Sequence, residues 1–205
     1  MPPRRTDPVP AILAAALDLA GSGDWRSVRL VDIAERAGVP LPSVAERFTG
    51  RDAVLAAWFA GIDHAVLEGF DAGLMVESPR NRLFDVMMRR YDAMASRKNE
   101  LAAIRRAVRH DPATMLALRG AMLASMARMV EAAGLASSGL AGAVRVRGLL
   151  AIHLAVLPTF LADEGEGLPR TMAALDRRLG QAERLVERLG NRGRTRPSSG
   201  NGAVQ

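Results

Sequence analysis

The chain has 205 residues, of which 49% are hydrophobic and 4% aromatic, and its formal net charge is +6. This length accommodates one sizeable core, or a small head domain with a larger body. Runs of Val, Ile, Thr and Tyr that are typical of strands are almost absent, so the composition predicts an all-α protein. Because cysteine is absent, disulfides and thiolate metal sites are excluded.

The chain offers few groups for catalysis. Its three histidines, His64, His110 and His153, are scattered, and there is no Gly-rich phosphate loop. We therefore expect neither enzyme activity nor a cofactor or metal site. The N-terminal segment lacks the apolar core of a signal peptide, which makes the cytoplasm the expected location.

The first predicted helix begins where Asp7 precedes Pro8, a carboxylate cap followed by a proline in the first turn. An apolar stripe then runs to Ala20 and ends at two nearby glycines. Residues 1–7 are expected to form a flexible arm. Its two arginines either touch a DNA backbone or are simply solvated.

The segment from Ser27 to Phe59 contains a helix-turn-helix pattern. Small and apolar residues recur at helical spacing from Leu30 to Ala37 and stop at Gly38, which tolerates the left-handed backbone of a helix exit. A second short run follows, with Val44 and Phe48 four residues apart on one face. Two short helices around a glycine corner also occur in many all-α proteins that do not bind DNA.

In a helix-turn-helix the second helix lies in the DNA major groove, and its first residues face bases and phosphates. The expected DNA contacts are therefore Arg29, Leu41, Pro42, Ser43, Glu46, Arg47 and Arg51. Ser43 and Arg47 are the main contacts expected from the second helix. Arg29 and Arg51 are expected to contact phosphates.

Further helices are marked by the residues that start them. Arg51–Asp52 opens a long helix whose apolar face should join head to body. Ser78–Pro79 and Asp111–Pro112 each combine a cap with a proline in the first turn, and Asn99 could cap a helix between them. The body is thus expected to be a bundle of helices.

The strongest local charge imbalance lies between Arg89 and Arg109, where there are seven basic residues and two acidic ones. A solvated helix face is one explanation, and contact with an anionic membrane surface or acidic partner is the other. Residues 1–60, in contrast, hold seven arginines and seven acids. The expected DNA-reading head thus lacks the excess positive charge that usually supplies much of DNA affinity.

A methionine-rich helix follows Asp111 and runs to about Ala133. Thioether side chains make an adaptable apolar wall, which indicates either core filling or a pocket between helices for an apolar ligand. The residues expected at such a pocket are Met87, Tyr91, Met115, Met122, Met126 and His153. For His153, a hydrogen-bonded histidine of the core or of an interface is the simpler interpretation.

The segment from Gly148 to Ala162 is almost wholly apolar. Because it is shorter than the ~18 residues needed to span a bilayer, we expect a helix buried on all sides, in the bundle or against another subunit. A last helix, from about Arg170 to Leu189, has a seam typical of helix pairing. An acidic surface loop over 163–169 separates these helices. The expected contacts of a homodimer are Leu149, Ile152, Val156, Leu175, Leu179 and Val186.

The first 60 residues resemble the N-terminal domain of the TetR family of transcriptional regulators. The matching motifs are Ile12–Ala20, Gly23-Asp24-Trp25, Asp32–Val39 and Phe48–Val54. The resemblance implies about nine helices and a homodimer that binds a palindromic operator and responds to an apolar ligand. The expected domains are a head over 1–60 and a ligand-binding and dimerisation body over 61–190, followed by a disordered tail over 191–205.

Several positions depart from the TetR pattern. Pro40 stands where a polar cap is usual, and together with Pro42 it removes two backbone N–H donors from the start of the second helix. Leu41 and Ala45 replace residues that usually reach DNA. Glu46 adds a negative charge beside the duplex.

The body also resembles the lipid-binding accessory proteins of ubiquinone biosynthesis, which share the TetR fold. The similarity lies in Ala103–Ala107, in the apolar helix before the acidic loop, and in Thr171–Leu179. It implies a protein that handles lipids, contacts a membrane surface and does not bind DNA. The sequence therefore predicts a ligand-responsive DNA-binding regulator, with this lipid-handling protein as the alternative.

Overall fold

The computed structural model describes residues 7–69, 73 and 76–194. Within these residues the backbone forms nine α-helices and no strand, which confirms the all-α prediction. The helices are α1 (Val9–Ser22), α2 (Leu30–Ala37), α3 (Leu41–Ala45), α4 (Arg51–Glu68), α5 (Pro79–Met94), α6 (Lys98–Val108), α7 (Pro112–Ala132), α8 (Gly139–Leu161) and α9 (Pro169–Arg194).

Local hydrogen bonds explain where two of the body helices begin. The Ser78 hydroxyl accepts from the Asn81 N–H (3.2 Å) at the start of α5, and the Asp111 carboxylate accepts from the Thr114 N–H (3.1 Å) at the start of α7. Both starts are as predicted. The predicted cap at Asn99 is wrong, because α6 already begins one residue earlier and includes it.

A closely packed apolar core holds the head together. Its buried side chains come from α1 to α4 and from the 3-10 turn over Trp25–Ser27. Two body residues, Ile104 of α6 and Leu118 of α7, are buried in the same core. The head therefore packs directly against the body, and the expected boundary at residue 60 falls inside α4.

The larger core lies among α5, α7, α8 and α9. Eight of its described residues are completely buried, namely Met87, Tyr91, Met126, Met129, Ala133, Val156, Phe160 and Leu175. Trp58 and Phe59 of α4 pack against both cores. Helix α4 thus connects head and body through single side chains that contact both.

One side of α8 is exposed. By length and composition α8 could cross a membrane, but the same is true of many core helices, and 28% of its apolar window is buried. Within the single chain α8 is not buried on all sides, and its cover by a second subunit stays a prediction. Helices α6, α7 and α9 pack against one side and leave Leu140, Val144 and Leu154 exposed.

The connection between α8 and α9 differs from the predicted acidic surface loop at its first residue. Asp163 is 1% exposed, because its carboxylate accepts hydrogen bonds from the backbone N–H (2.7 Å) and the hydroxyl (2.8 Å) of Thr171. It thereby stabilises the first turn of α9. The acids that follow, Glu164 and Glu166, are exposed as expected.

The expected N-terminal arm and C-terminal tail are described only in part. Helix α9 continues to Arg194, so residues 191–194 are helical where the sequence predicts disorder. Residues 1–6 of the arm and 195–205 of the tail lie outside the described residues. Asp7 is described, and its carboxylate accepts from the Val9 N–H (3.1 Å).

Candidate DNA-reading head and ligand cavity

Helix α3, the second helix of the helix-turn-helix, lies on the surface of the head. Val44 (0% exposed) and Phe48 (7%) anchor it to the head core. Gly38 turns the chain between α2 and α3 with a left-handed φ of 65°, a conformation that favours glycine. The side chains expected to contact DNA are exposed or, for Ser43, half-buried: Leu41, Pro42, Ser43, Glu46 and Arg47. The outer face of α3 is thus accessible.

The start of α3 offers few backbone donors. Pro40 precedes the helix and Pro42 lies in its first turn, and neither carries an N–H. The Ser43 N–H already donates to the Pro40 carbonyl (3.0 Å). Among positions 40–43 this leaves the N–H of Leu41. Any recognition by α3 therefore depends mainly on its side chains.

Most arginines of the head are neutralised by carboxylates. Three ion pairs have N···O distances of 2.7–3.4 Å, namely Arg26–Asp24, Arg29–Asp32 and Arg36–Asp18. Of the five head arginines that the structure describes, only Arg47 has no carboxylate partner, and its guanidinium reaches the Ser43 carbonyl at 3.4 Å. Arg29, an expected phosphate contact, keeps 73% of its side chain exposed beside its partner.

Arg51, the other expected phosphate contact, is engaged inside the protein. Its guanidinium donates to the Arg26 carbonyl (2.8 Å) and lies 3.4 Å from the Asp111 carboxylate. The Thr114 hydroxyl hydrogen-bonds to Asp111 (2.8 Å) and lies 3.4 Å from the Asp52 carboxylate. We call Arg51, Asp52, Asp111 and Thr114 the α4–α7 latch, because they join the first turns of these two helices.

The Asp111 carboxylate of the latch is ionised at neutral pH. The backbone N–H and the hydroxyl of Thr114, and then the charge of Arg51, hold the pKa of Asp111 below its usual value. The ionised carboxylate can therefore bind the Arg51 guanidinium and cap α7 at the same time. The latch thus ties the helix that follows α3 to the body.

A cavity of about 780 Å³ opens among α4, α6, α7 and α8, within the range of about 300–1,000 Å³ typical of small-molecule sites. Its lining is mainly apolar. The polar residues at its wall are Arg105, Arg109, Arg119 and His153. Met115 (53% exposed) and Leu116 (70%) lie at its open side.

Half of the residues expected at a ligand pocket line this cavity. They are Met115, Met122 and His153. The others, Met87, Tyr91 and Met126, are completely buried in the body core. The sequence pattern could not separate the two groups, because both are apolar and occur at helical spacing. The arginines of the wall were missed, although Arg105 and Arg109 are four residues apart on an amphipathic helix.

His153 connects the cavity wall to the body core. It is 2% exposed, and its Nδ1 lies 3.1 Å from the Tyr91 hydroxyl. Burial, reinforced by the positive charge of Arg90, lowers the pKa of His153 to about 3. Burial also raises the pKa of Tyr91. Both side chains are therefore neutral at pH 7.

Arg90 belongs to a buried ion pair that sequence reasoning missed. It is 0% exposed and donates to Asp63, which is 1% exposed. The Asp63 carboxylate also accepts from the Ser125 hydroxyl (2.7 Å) and the Arg128 guanidinium (2.8 Å). Burial lowers the pKa of Arg90, and the charge of Asp63 opposes this effect. The one signal in the sequence was an acid among the apolar residues of α4.

The cavity and the head share part of their walls. Leu55, Ile104 and Leu118 belong to the buried core of the head and also line the cavity. Along α7, the latch residue Thr114 is followed directly by the cavity residue Met115. An occupant of the cavity would therefore touch side chains that hold the head in place.

Most of the residues expected at a dimer interface face the interior of the chain. Four of them are 0–5% exposed, namely Leu149, Val156, Leu175 and Leu179. The reason is that the seam of α9 packs against α8 and α5 of the same chain. Ile152 is half-buried and Val186 is 66% exposed, so these two alone remain accessible to a second copy.

The structure combines two features. A short helix is exposed after a left-handed glycine, as in a helix-turn-helix, and the helical body holds an open cavity. Comparison with solved structures identifies the fold more closely. A TetR transcriptional regulator from Nitrosomonas europaea has a TM-score of 0.67 at 24% identity, with 87% of this chain and 99% of that one covered. The chain therefore has the fold of the TetR-family regulators.

Two further structures support this fold at lower identity. A TetR regulator from Rhodococcus sp. RHA1 has a TM-score of 0.60 at 18% identity, covering 85% of this chain and 94% of that one. The fatty acid degradation regulator FadR from Bacillus halodurans has a TM-score of 0.58 at 13% identity, covering 86% and 97%. No family model and no curated protein sequence matches the chain.

Proposed function

We propose that the protein is a DNA-binding transcriptional regulator, a cytoplasmic homodimer whose body responds to a small ligand. The observation that carries the proposal is the accessible outer face of α3, together with Arg47, which lies two residues beyond the end of α3 and has no carboxylate partner among the described residues. A helix presented in this way fits the major groove, and its arginine can reach a phosphate or a guanine edge. Shared fold with proteins named as transcriptional regulators supports the proposal.

The exposed side of the α8–α9 hairpin is the proposed dimer surface. Leu140 and Val144 near the start of α8, and Leu185 and Val186 near the end of α9, are between 58% and 86% exposed. Because consecutive helices joined by a short loop run antiparallel, these two ends lie side by side. Exposed apolar surface of this kind marks protein interfaces. Two heads about 34–36 Å apart would then read a palindromic operator.

The proposed route from ligand to DNA runs through the shared walls and the α4–α7 latch. A ligand changes DNA affinity only when it binds one arrangement of the heads better than the other. Leu55 and Ile104 contact both the cavity and the head core, and the latch couples α7 to α4. A shift of α7 on ligand binding would therefore move the head.

Fluorescence anisotropy with duplex DNA from upstream of the protein's own reading frame tests the proposal. We expect salt-dependent binding by the wild type. Arg47→Glu should weaken it on the order of 100-fold or more, because a dimer loses two charged contacts of roughly 1.5–3 kcal/mol each. Arg106→Glu is the matched control, because Arg106 is also exposed but lies on α6. Equal binding by both variants would overturn the proposal.

A lipid-handling protein without DNA affinity is the second candidate. It is favoured by the scarce backbone donors of α3 and by the four head arginines that are engaged within the chain. The same titration separates the candidates. Absence of salt-sensitive binding by the wild type at low salt, with the dimer intact, supports the lipid-handling function.

A further inference from the structure

The basic segment between Arg89 and Arg109 divides into two groups in the structure. Four of its cations are engaged within the protein: Arg89 with the Gly69 carbonyl, Arg90 with Asp63, Arg97 with Asp18 and Glu100, and Lys98 with the Asp163 carbonyl. Arg105, Arg106 and Arg109 have neither an ion pair nor a side-chain hydrogen bond among the described residues. The charge imbalance of the sequence is therefore concentrated at the end of α6.

Two of these three free arginines, Arg105 and Arg109, line the cavity. Arg119 of α7 lines it as well and likewise has no partner among the described side chains. None of the described residues that line the cavity is acidic. Three positive charges thus border an apolar cavity without compensation, although most other arginines of the described chain bind a carboxylate or carbonyl.

From this arrangement we infer that the cavity takes an amphiphile with a long apolar body and an anionic head group, a carboxylate or a phosphate, bound by Arg105, Arg109 and Arg119. The inference rests on the proposed ligand-sensing function of the body and names the class of its ligand. Guanidinium groups bind carboxylate and phosphate oxygens through paired N–H donors.

The positions of the polar residues orient such a ligand. Arg109 and Arg119 are exposed and Arg105 is half-buried, so the charges lie towards the open side of the cavity. The apolar side chains behind them, such as Met122 and Leu157, can enclose a hydrocarbon chain. His153 is neutral, and its Nε2 has no hydrogen bond among the described residues. It can therefore contact a polar atom along the ligand.

The concave placement of the arginines favours a single bound molecule over a flat membrane surface. Arg105 in α6, Arg109 directly after α6 and Arg119 in α7 border one cavity from two sides. Arg106, the residue after Arg105, is exposed to solvent and does not line the cavity. It therefore supplies a matched control with the same residue type on the same helix.

Isothermal titration calorimetry of the full chain tests the inference, with dodecanoate and dodecyl phosphate as anionic probes below their micelle concentrations. Dodecyltrimethylammonium, with the same tail and a positive head, is the control probe. We expect about one anionic molecule per chain, bound at least tenfold more tightly than the cation. Comparison of the two anions distinguishes a carboxylate head from a phosphate head.

Variants separate charge recognition from packing. Arg105→Gln/Arg109→Gln/Arg119→Gln should abolish the preference for anions, and Arg106→Gln should keep it. Met122→Trp fills the cavity without changing charge and should weaken both classes of probe. Equal affinity for anionic and cationic probes, or an unchanged preference in the triple variant with its thermal unfolding intact, would overturn the inference.

Two further arms separate this inference from its alternatives. Arginine-dependent binding to vesicles of phosphatidylcholine with one third phosphatidylglycerol, without binding to monomeric dodecanoate, would overturn it in favour of a membrane surface. Because probe binding is measured without DNA, it is independent of the DNA-binding proposal. If the wild-type protein binds dodecanoate but no duplex DNA, the result supports the ligand class and contradicts the proposal of a DNA-binding regulator.

Discussion

The head and the cavity use the same residue type in opposite ways. In the head, four of the five described arginines are engaged by carboxylates, and only Arg47, just after α3, is not. At the cavity, the three arginines of the wall have no partner among the described residues. A charge that is paired within the folded chain is already engaged, whereas an unpaired charge is available to a partner.

This difference teaches that net charge does not locate a binding site. The head holds equal numbers of arginines and acids, and their pairing leaves little charge for DNA phosphates. In the basic segment of the body, four cations are engaged by internal partners, whereas Arg105, Arg106 and Arg109 remain free at the end of α6. The available charge therefore has to be counted after pairing, not along the sequence.

The largest predicted effect concerns the buried ion pair of the body. Asp63→Asn should lower the free energy of unfolding by about 3–5 kcal/mol, because Arg90 is left buried without a counter-charge. Asp32→Asn in the head, which breaks the exposed Arg29 pair, should lower the free energy of unfolding far less, because water screens this pair. Urea denaturation followed by circular dichroism measures both values.

A double variant checks the cause of this loss. Asp63→Leu combined with Arg90→Met removes both buried charges, and we expect it to recover most of the stability. If the double variant is as unstable as Asp63→Asn, packing rather than the unpaired guanidinium explains the effect. The larger cost of breaking a buried ion pair could then not be assigned to its unpaired charge.

The next prediction concerns the loss of stability at acidic pH. Because the folded-state pKa of His153 is about 3 and the unfolded value is 6.5, the unfolded chain gains a proton that the folded chain excludes. Stability is therefore lost as the pH falls below about 6.5, by about 2 kcal/mol between pH 7 and pH 5. His153→Phe should flatten this slope of unfolding free energy against pH, even where it lowers stability overall.

The exposed His64, with 74% of its side chain accessible, is the matched control for this titration. The effect of His153→Phe on the pH slope should exceed that of His64→Gln. A slope that persists in His153→Phe would assign the acid sensitivity to other groups. It would also contradict the burial of a neutral histidine at the cavity wall.

A smaller change in stability is predicted for the α4–α7 latch than for the buried ion pair. Arg51→Gln removes the bond to the Arg26 carbonyl and the ion pair with Asp111, and it should cost about 1 kcal/mol. It should leave the salt dependence of DNA binding unchanged, since Arg51 is engaged within the protein. A shallower salt dependence in Arg51→Gln would show that Arg51 contacts DNA phosphates.

The short-range features of the fold were predictable from sequence. Ser78 and Asp111 cap helices where a side-chain acceptor precedes proline, and Gly38 ends α2 where a left-handed residue is needed. Each of these depends on neighbouring residues alone. The anchoring of α3 by Val44 and Phe48 followed from helical periodicity, which is also local.

The site residues were less predictable because they depend on pairing between distant helices. Periodicity places Leu175 and Leu179 on an apolar face, but it does not say whether α8 of the same chain or a second copy covers that face. In the same way, the partners of Arg51 and Arg90 lie 60 and 27 residues away in sequence. Which arginines remain free could therefore be read only from the assembled fold.

The salt dependence of DNA binding tests the central claim most directly. The logarithm of the association constant for upstream duplex DNA is plotted against the logarithm of salt concentration for the wild type and Arg47→Glu. Each phosphate contact contributes a slope of about −0.9, so loss of one contact per head should make the slope of the dimer shallower by about two. A wild type without salt-dependent binding, or an unchanged slope in Arg47→Glu, would contradict the account of α3 as the DNA-reading helix.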